Sequence, residues 1–378
     1  MIPETQTRGL QNAAPFWMSL GLIPLAAIAA YNGGWTLFLV PVYVLLMTTA
    51  VDSLSALELR NADTETPDSD LFWHRLVTLI WFPIQFVLIF GSLWWVSHHG
   101  TLSGWEQIAL FYGVGVISGS IGINYSHELM HQSDRRERFL GDLLLASVMY
   151  SHFRSEHLLG HHRYVGTPRD PVTARYNESF YRFFPRILWQ CIRSAWREEA
   201  AMLARRGLPV WHVSNSFWRY FVLQSGMLLL AYLIGGWDGV GLFYYQAVTA
   251  ILFLELVNYI EHYGLTRKHL GGGKYEHVLP RHSWNSAHRM TNWLLINLQR
   301  HSDHHYKPNR RYPLLQTYSE ADAPQLPFGY PIMGVLALIP PSWRRVMNPR
   351  VRKWRGMYYP EITDWSAYTE ASNPLPGT

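Results

Sequence analysis

The sequence predicts an all-α integral membrane protein, with about six transmembrane helices in three hairpins and a cytoplasmic helical cap rich in histidine. Of its 378 residues, 48% are hydrophobic and only 16% are charged, against roughly 25% charged in soluble domains. The apolar residues gather in runs close to the length of about 20 that crosses a bilayer. The polar segments between these runs hold most of the arginine and histidine.

Six apolar runs are predicted spans, and they lie near residues 16–33, 35–51, 76–97, 106–126, 217–235 and 239–260. The first run has no small-residue cleavage site behind it, so we interpret it as a retained span and not as a signal peptide. Short linkers with glycine or asparagine join the runs into hairpins. The linkers are Asn32-Gly33-Gly34, His98-His99-Gly100 and Gly235-Gly236-Trp237-Asp238.

The longer segments 52–75, 127–216 and 261–378 carry most of the arginine. Because cytoplasmic loops are enriched in Lys and Arg, both termini and all long segments are predicted to be cytoplasmic. We expect residues 1–350 to form a single membrane-embedded domain with a cap at 127–216 and 261–350, followed by a tail at 351–378. The apolar run at 329–341 is too short to span and is predicted to be interfacial or re-entrant.

Composition excludes several classes of protein. The single cysteine, Cys191, supports neither a disulfide framework nor an iron–sulfur site. The formal net charge of +5 is explained by basic residues that flank spans and face anionic lipid, so no nucleic-acid partner is expected. The partner that the composition does indicate is the lipid bilayer.

Histidine carries the main functional signal. Nine of the 18 histidines fall into four clusters at or just beyond the predicted cytoplasmic ends of spans. Spacing of four places paired rings on one helical face. Nine imidazoles exceed the coordination sphere of one metal, so two metal ions are predicted. The candidate ligands are His127, His131, His157, His161, His162, His262, His301, His304 and His305.

Carboxylates and amides near these clusters are candidate partners for the free ring nitrogens. They are Glu128, Asp170, Glu255, Asn258, Glu261 and Asp303. His98 and His99 lie on the opposite side of the membrane. The remaining histidines are isolated and are interpreted as structural, with His282 and His288 the first to reconsider.

Two hypotheses that assign the protein to other functional classes compete with a two-metal site. Residues 127–131 spell H-E-x-x-H, the zinc-protease helix in which Glu128 would be the general base. A zinc-protease site has three protein ligands, so most of the clustered histidines would have no function in it. A metal transporter or sensor would place its ligands along a pathway at mid-membrane, whereas these clusters gather at one face.

The clusters resemble the histidine boxes of integral-membrane non-haem di-iron oxygenases and desaturases, and in particular those of the alkane 1-monooxygenase (alkane hydroxylase) family. The second box along the chain, which contains His157, His161 and His162, is part of a segment from Glu156 to Pro171 that ends in T-P-x-D-P. Residues 258–265 read N-Y-I-E-H-Y-G-L, and residues 298–305 read L-Q-R-H-S-D-H-H. The likeness extends from about the first span to near residue 350.

This resemblance implies that the nine histidines ligate two irons and that the protein hydroxylates the terminal carbon of medium-to-long n-alkanes with O2. It also implies electrons from rubredoxin, which an NADH-linked rubredoxin reductase reduces, and a bacterial inner-membrane location. Gln132 stands where the family usually has Lys. The first box, residues 126–131 with the sequence S-H-E-L-M-H, is also similar to that of xylene-type methyl hydroxylases. These enzymes and the fatty-acyl desaturases or hydroxylases therefore remain alternatives.

Alkanes partition into the bilayer, so an apolar channel among the spans is expected to collect substrate laterally. Its candidate walls are spans one, two, four and six. Ser53 and Ser55 end the second span without a bulky side chain, which favours longer alkanes. The arginine-rich cytoplasmic surface is expected to attract an acidic electron carrier.

Overall fold

A computed structural model describes residues 9–369, which are mostly helical. Within these residues, five helices are long and apolar enough to cross a membrane. We label them α1 (Leu10–Asn32), α2 (Gly34–Leu54), α3 (Asp68–His99), α4 (Gly104–Met130) and α8 (Ser216–His262). The prediction of an all-α membrane protein is confirmed. Residues 1–8 and the last nine residues of the predicted tail lie outside the described residues.

Helix α8 contains both of the last two predicted spans. Its 47 residues break at Gly235 and Gly236, whose backbone angles are not helical, and Gly236 has a φ of 59°. A Cβ on Gly239 would lie 2.6 Å from the carbonyl oxygen of Ala231. Eight residues of straight helix would extend about 12 Å, so the chain reverses here. The two arms of α8 therefore form a hairpin at the predicted linker.

The remaining helices form the cap. In chain order they are α5 (Arg135–Ala146), α6 (residues 153–164), α7 (Phe180–Ala204), α9 (Arg289–Leu294), α10 (His301–Tyr306), α11 (Tyr330–Ala337), α12 (Pro340–Tyr358) and α13 (Ser366–Thr369). Short 3₁₀ turns lie at Pro280–His282 and Tyr312–Leu314. The cap also holds an antiparallel two-stranded ribbon that the sequence did not predict, formed by β1 (His269–Gly271) and β2 (Lys274–Tyr275).

Polar caps fix the ends of several helices. Ser103 and Glu106 form a capping box at the start of α4, which satisfies amides that the first turn leaves free. The carboxylate of Glu106 also accepts a hydrogen bond of 2.9 Å from the amide of Gly34. It thereby ties the turn between α1 and α2 to the start of α4. The side chains of Asp134 and Asn215 cap α5 and α8 by accepting from the amides of Arg136 and Phe217.

Two large apolar cores hold the fold together. The first joins α1 to α4 and the first arm of α8, with Trp81 and Phe111 fully buried. The second joins α7, the second arm of α8, α11 and α12 around Trp343. Helix α12 continues past residue 350, the predicted end of the membrane-embedded domain. Eight of the clustered histidines lie on α4, α6, α8 and α10, and His131 directly follows α4.

Candidate metal centre

The nine clustered histidines come together in two groups, although they are spread over 179 positions of the sequence. Within each group the ring nitrogens that face one another all lie within 4.8 Å. The five-histidine group consists of His127, His131, His157, His162 and His304. The four-histidine group consists of His161, His262, His301 and His305.

Helix α6 contributes to both groups because part of it is a π-helix, Glu156–His161. The amide of His162 bonds to the carbonyl of His157, five residues earlier. This wider turn brings residues five apart to the same side of the helix. His157 and His162 therefore face each other, with 2.9 Å between their Nε2 atoms. His161, between them in sequence, turns to the other group.

The ring nitrogens are too crowded to satisfy one another by hydrogen bonding. Nε2 of His157 lies 2.9 Å from that of His127 and 3.0 Å from that of His131, in addition to His162. A neutral imidazole carries one N–H and one lone pair, so one Nε2 cannot bond to three others. A cation between the rings would accept all these lone pairs. The donor set therefore fits a metal ion.

The four-histidine group has the same arrangement. Nε2 of His301 lies 3.1 Å from Nε2 of His262 and 3.0 Å from that of His305. Nε2 of His305 is also 3.2 Å from that of His161. The inward crowding of four buried lone pairs again matches a cation and not a hydrogen-bonded cluster.

Burial keeps these rings neutral. For the ligands beyond the spanning helices, burial first and then the neighbouring imidazoles lower the pKa well below its usual value. This holds for His131, His157, His162, His301, His304 and His305. Neutral imidazole is the form that binds metal, so no proton has to leave at neutral pH before a metal enters.

Two of the six predicted partner residues contact a ligand ring. Oδ2 of Asp170 lies 3.0 Å from Nδ1 of His161, which is the contact that fixes the tautomer of a metal-bound histidine. Oε2 of Glu261 lies 3.3 Å from Nε2 of His301. The hydroxyl of Tyr330 donates to the other oxygen of Glu261 at 2.6 Å. Tyr330 was not predicted from the sequence, because it lies on α11, far along the chain from every histidine cluster.

The other four predicted partners bond elsewhere. Glu128 accepts from Gln132 at 2.9 Å, and Asn258 donates to Glu255 at 3.0 Å. Glu255 also accepts from Tyr150. Asp303 binds Arg310, Tyr318 and the amide of Gln316 and so anchors α10. Among the described residues, none of these four hydrogen-bonds to a ligand ring.

An apolar cavity of about 200 Å³ ends on both groups. His127 and His157 of the five-histidine group and His301 of the four-histidine group line it. Its walls come from α2, α4, the second arm of α8, the region of α9 and α11. Span one, predicted to contribute, supplies no lining residue in the described part, because it packs against other spans.

Three irregular helical stretches line this cavity. Val42–Met47 in α2 and Ser118–Ile123 in α4 are π-helical, as is the stretch in α6. Each supplies residues to the cavity wall, including Val44, Gly119 and His157. Such stretches often occur at functional sites. Ser53 and Ser55 line a separate cavity, beside Asp52 and His288.

Comparison with known proteins assigns the class. The fatty acid desaturase family matches residues 103–337, which is more than half of the chain. That range contains all nine histidines and α4, α6, α8 and α10. The fold and the site therefore define a membrane protein of the fatty acid desaturase superfamily with a histidine-rich centre.

Full-length relatives narrow this class. The chain is 38% identical to alkane 1-monooxygenase 2 of Pseudomonas aeruginosa over 92% of its length and 91% of that protein. It is 37% identical to alkane 1-monooxygenase 2 of Alcanivorax borkumensis over 90% of each chain. A xylene/toluene monooxygenase hydroxylase component of Pseudomonas putida is 29% identical over 64%. The chain belongs to the alkane 1-monooxygenase family and is an oxidoreductase.

Proposed function

We propose that this protein hydroxylates medium-to-long n-alkanes to 1-alkanols with O2, at a di-iron centre supplied with electrons by reduced rubredoxin. The reaction consumes R–CH3, O2, two electrons and two protons, and it yields R–CH2OH and water. The observation that carries the proposal is the apolar cavity that ends on both histidine groups. Hydrocarbon has a route to the place where two metals would be held.

The nine histidines are the proposed iron ligands, five for one iron and four for the other. When bound, the irons supply the reduction of O2 and the oxidation of a strong C–H bond. Asp170 orients His161, and Glu261 faces the four-histidine group beside His301. The protein itself holds the ligands, keeps water away and positions the alkane.

The cavity supports terminal selectivity. Val335 and Leu338 on its wall are 55% and 37% exposed, so its mouth meets the hydrocarbon of the bilayer. Each methylene that leaves water contributes about 0.8 kcal/mol, so alkanes concentrate at this mouth. A chain that enters end-on presents its terminal carbon to the histidines. Ile260, next to Glu261 in sequence, lines the cavity and is 1% exposed.

We further propose that the protein lies in the bacterial inner membrane as a single domain, with its termini and cap in the cytoplasm. The arginine distribution supports this orientation. Rubredoxin and its NADH-linked reductase would then reach the cap from the cytoplasm. Full-length similarity to alkane 1-monooxygenases, against 29% over 64% for the xylene-type relative, favours n-alkanes over arylalkyl substrates.

The test is metal analysis of detergent-purified protein, together with O2-dependent turnover of octane, hexadecane, p-xylene and a fatty-acyl substrate. Rubredoxin, its reductase and NADH supply electrons. About two irons per chain and 1-alkanols from both alkanes are expected. One zinc per chain without O2 uptake would instead support the zinc-protease reading. Faster turnover of p-xylene or acyl chains would reassign the substrate.

Regioselectivity gives a sharper test of the cavity. The Ile260→Ala variant enlarges the cavity beside the histidines, so a chain can bend and present its second carbon. We expect 2-alkanol to appear among the products at unchanged iron content, measured by gas chromatography. Val248→Ala, on the exposed surface of the same arm and outside the cavity lining, is the control and should give 1-alkanol alone.

A further inference from the structure

We propose that a polar chamber beside the apolar cavity binds the hydroxyl group of the 1-alkanol product and is the route by which the product leaves. This inference rests on the proposed function, because only a hydroxylase forms an alcohol in the cavity. The chamber has a volume of about 370 Å³ and lies between the end of α2, the start of α9 and the start of α11. We call it the exit chamber, and its walls include Asp52, Ser53, Ser55, His288, Gly329 and Pro331.

A thin wall separates the exit chamber from the apolar cavity. Pro331 lines both spaces. Thr291 lines the apolar cavity, and its hydroxyl donates a hydrogen bond of 2.7 Å to Oδ2 of Asp52 in the exit chamber. Thr291 and Asp52 are both buried. Their contact is therefore part of the partition, one side chain thick on each side, between the two spaces.

The product differs from the substrate in a way that suits this arrangement. An n-alkane has no polar group and is stabilised by any apolar wall. The product carries a hydroxyl, and a hydroxyl that is buried without a hydrogen bond is costly. Thr291 offers a polar neighbour on the wall of the apolar cavity, and the exit chamber lies directly behind it. The alcohol therefore has a reason to move toward the exit chamber that the alkane lacks.

The exit chamber holds hydrogen-bonding groups that the protein leaves unused. Within the described residues, the hydroxyls of Ser53 and Ser55 form no hydrogen bond. Nδ1 of His288 lies 2.7 Å from the hydroxyl of Ser286, and Nε2 of His288 has no partner among the same residues. Burial, opposed by the carboxylate of Asp52, lowers the pKa of His288, so the ring is neutral at neutral pH. Serine and neutral imidazole both donate and accept, as an alcohol requires.

Gly329 keeps space open between two of these walls. Its φ of −63° is one that any residue adopts, so the backbone does not require glycine here. A Cβ at this position would lie 3.2 Å from Oδ2 of Asp52 and 3.5 Å from the ring of His288. Even one methyl group would therefore narrow the exit chamber at its polar wall.

The opening of the exit chamber suits an amphiphile. Leu57 and Phe328 line it and are 50% and 41% exposed, so the chamber opens to the outside through an apolar rim. It lies at the end of α2, and the end of a membrane-spanning helix is close to the lipid headgroups. There a hydroxyl can stay hydrated while its alkyl chain enters the bilayer. Val335, at the substrate mouth, lies one helical turn beyond Pro331, so alkane and alcohol have separate openings.

The first test locates the alcohol by photolabelling. Full-length protein in phosphatidylcholine nanodiscs is irradiated with a 1-dodecanol that carries a diazirine near its hydroxyl, or with a dodecane that carries the same diazirine. Peptide mass spectrometry identifies the labelled residues. We expect the alcohol to label Ser53, Ser55 and His288, and the hydrocarbon to label the apolar cavity without them. Equal labelling of these three residues by both probes, or alcohol found only beside Val335, would overturn the proposal.

The second test narrows the exit chamber. Gly329→Ala should slow product release, so we expect kcat for octane to fall at least about threefold, while kcat/KM and the 1-octanol yield of a single turnover stay unchanged. The control is Gly356→Ala on α12, an exposed position where a Cβ would meet no atom within 4 Å, and it should leave kcat unchanged. An unchanged kcat in Gly329→Ala, or a lower single-turnover yield, would contradict the exit assignment.

The third test removes the serine hydroxyls. Ser53→Ala combined with Ser55→Ala should raise the inhibition constant of added 1-octanol at least about fivefold, with no change in kcat/KM for octane. Ser69→Ala combined with Ser133→Ala, at exposed positions outside the chamber, is the matched control. Equal inhibition constants in both variants and the wild type would mean that the exit chamber does not bind the hydroxyl.

Photolabelling needs no turnover, so it separates this proposal from the proposed function. Formation of 1-octanol by a wild-type protein whose exit chamber the alcohol probe does not label would overturn the exit assignment alone. Labelling of the exit chamber in a protein that forms no 1-octanol would contradict the proposed function. The chamber would then bind alcohols without being a product exit, and the assignment would fall with the function.

Discussion

Two buried histidine environments in this protein look alike by exposure and differ in what surrounds the ring nitrogens. His157, in the five-histidine group, is 3% exposed, and His282, in the cap, is 1% exposed. Nε2 of His282 faces the hydroxyl of Tyr359 at 2.8 Å and Glu276 at 3.2 Å. Its Nδ1 accepts from the amide of Leu279 at 2.9 Å. Nε2 of His157 faces only other imidazoles.

The difference separates a structural histidine from a candidate ligand. Both nitrogens of His282 have complementary protein partners, so the ring is already satisfied and a metal would find no free lone pair. In the centre, Nδ1 of His162, His262 and His305 has no hydrogen-bond partner among the described residues, while Nε2 of each of these rings faces Nε2 of another imidazole. Burial makes such an arrangement costly unless a cation occupies it.

The largest expected effect is loss of metal when a centre histidine is changed. His157→Gln removes the ring with three close imidazole neighbours, so iron content should fall from about two per chain to about one. Activity should fall by more than the 10–100-fold typical of outer-shell changes. Metal analysis and octane turnover measure both effects.

His282→Gln is the matched control for that substitution. It should retain both irons while lowering stability by about 1–3 kcal/mol, because buried partners lose their hydrogen bonds. Iron loss from His282→Gln equal to that from His157→Gln would show that any buried histidine supports the centre indirectly. The distinction between the two environments would then be wrong.

The next effect tests the partners of the ligands. Asp170→Asn removes the charged acceptor of His161, and we expect a 10–100-fold loss of metal affinity, confined to the four-histidine group. Competition with a chelator measures this, and one iron should leave well before the other. Glu128→Gln, whose carboxylate bonds to Gln132, should change affinity little. If the Glu128→Gln protein kept its metal but lost activity, the result would support the zinc-protease hypothesis, in which Glu128 is the general base.

Features that depend on a local sequence pattern could be predicted, whereas features that depend on contacts between distant segments could not. The spans followed from apolar runs of membrane length, and the hairpin at Gly235 from two adjacent glycines. The histidine boxes followed from spacing and family resemblance. The division into five and four could not be predicted, because it depends on the π-helical turn at His157. The contact of Tyr330 with Glu261 joins segments far apart in sequence, which no local pattern records.

A smaller effect is expected from Tyr330→Phe. This substitution removes the donor to Glu261 and leaves the cavity wall almost unchanged in shape. One buried hydrogen bond contributes about 1 kcal/mol, so kcat should fall severalfold while the KM for octane stays near that of the wild type. Tyr312→Phe removes a comparable buried hydroxyl contact, to the carbonyl of His74, and should leave kcat unchanged. A rise in KM alone would assign Tyr330 to substrate binding.

The smallest effect on activity is expected at the network around His282. Burial alone would raise the pKa of Glu276, but hydrogen bonds from His282, the amide of Lys268 and Tyr359 outweigh it and lower this pKa to about 2. An unfolded glutamate has a pKa near 4.5, so the unfolded chain binds more protons in between. The resulting stability is present above pH 4.5 and is lost as the pH falls toward 2.

Glu276→Gln should therefore flatten the decline of the melting temperature between pH 5 and pH 3, while octane turnover at neutral pH and iron content stay as in the wild type. Thermal unfolding in detergent across this range measures the slope, and Glu320→Gln, at an exposed surface pair with Lys353, is the control. Equal slopes in both variants would mean that Glu276 contributes nothing through its charge. Loss of iron from Glu276→Gln would mean that the network supports the metal centre, and the two histidine environments would then be coupled.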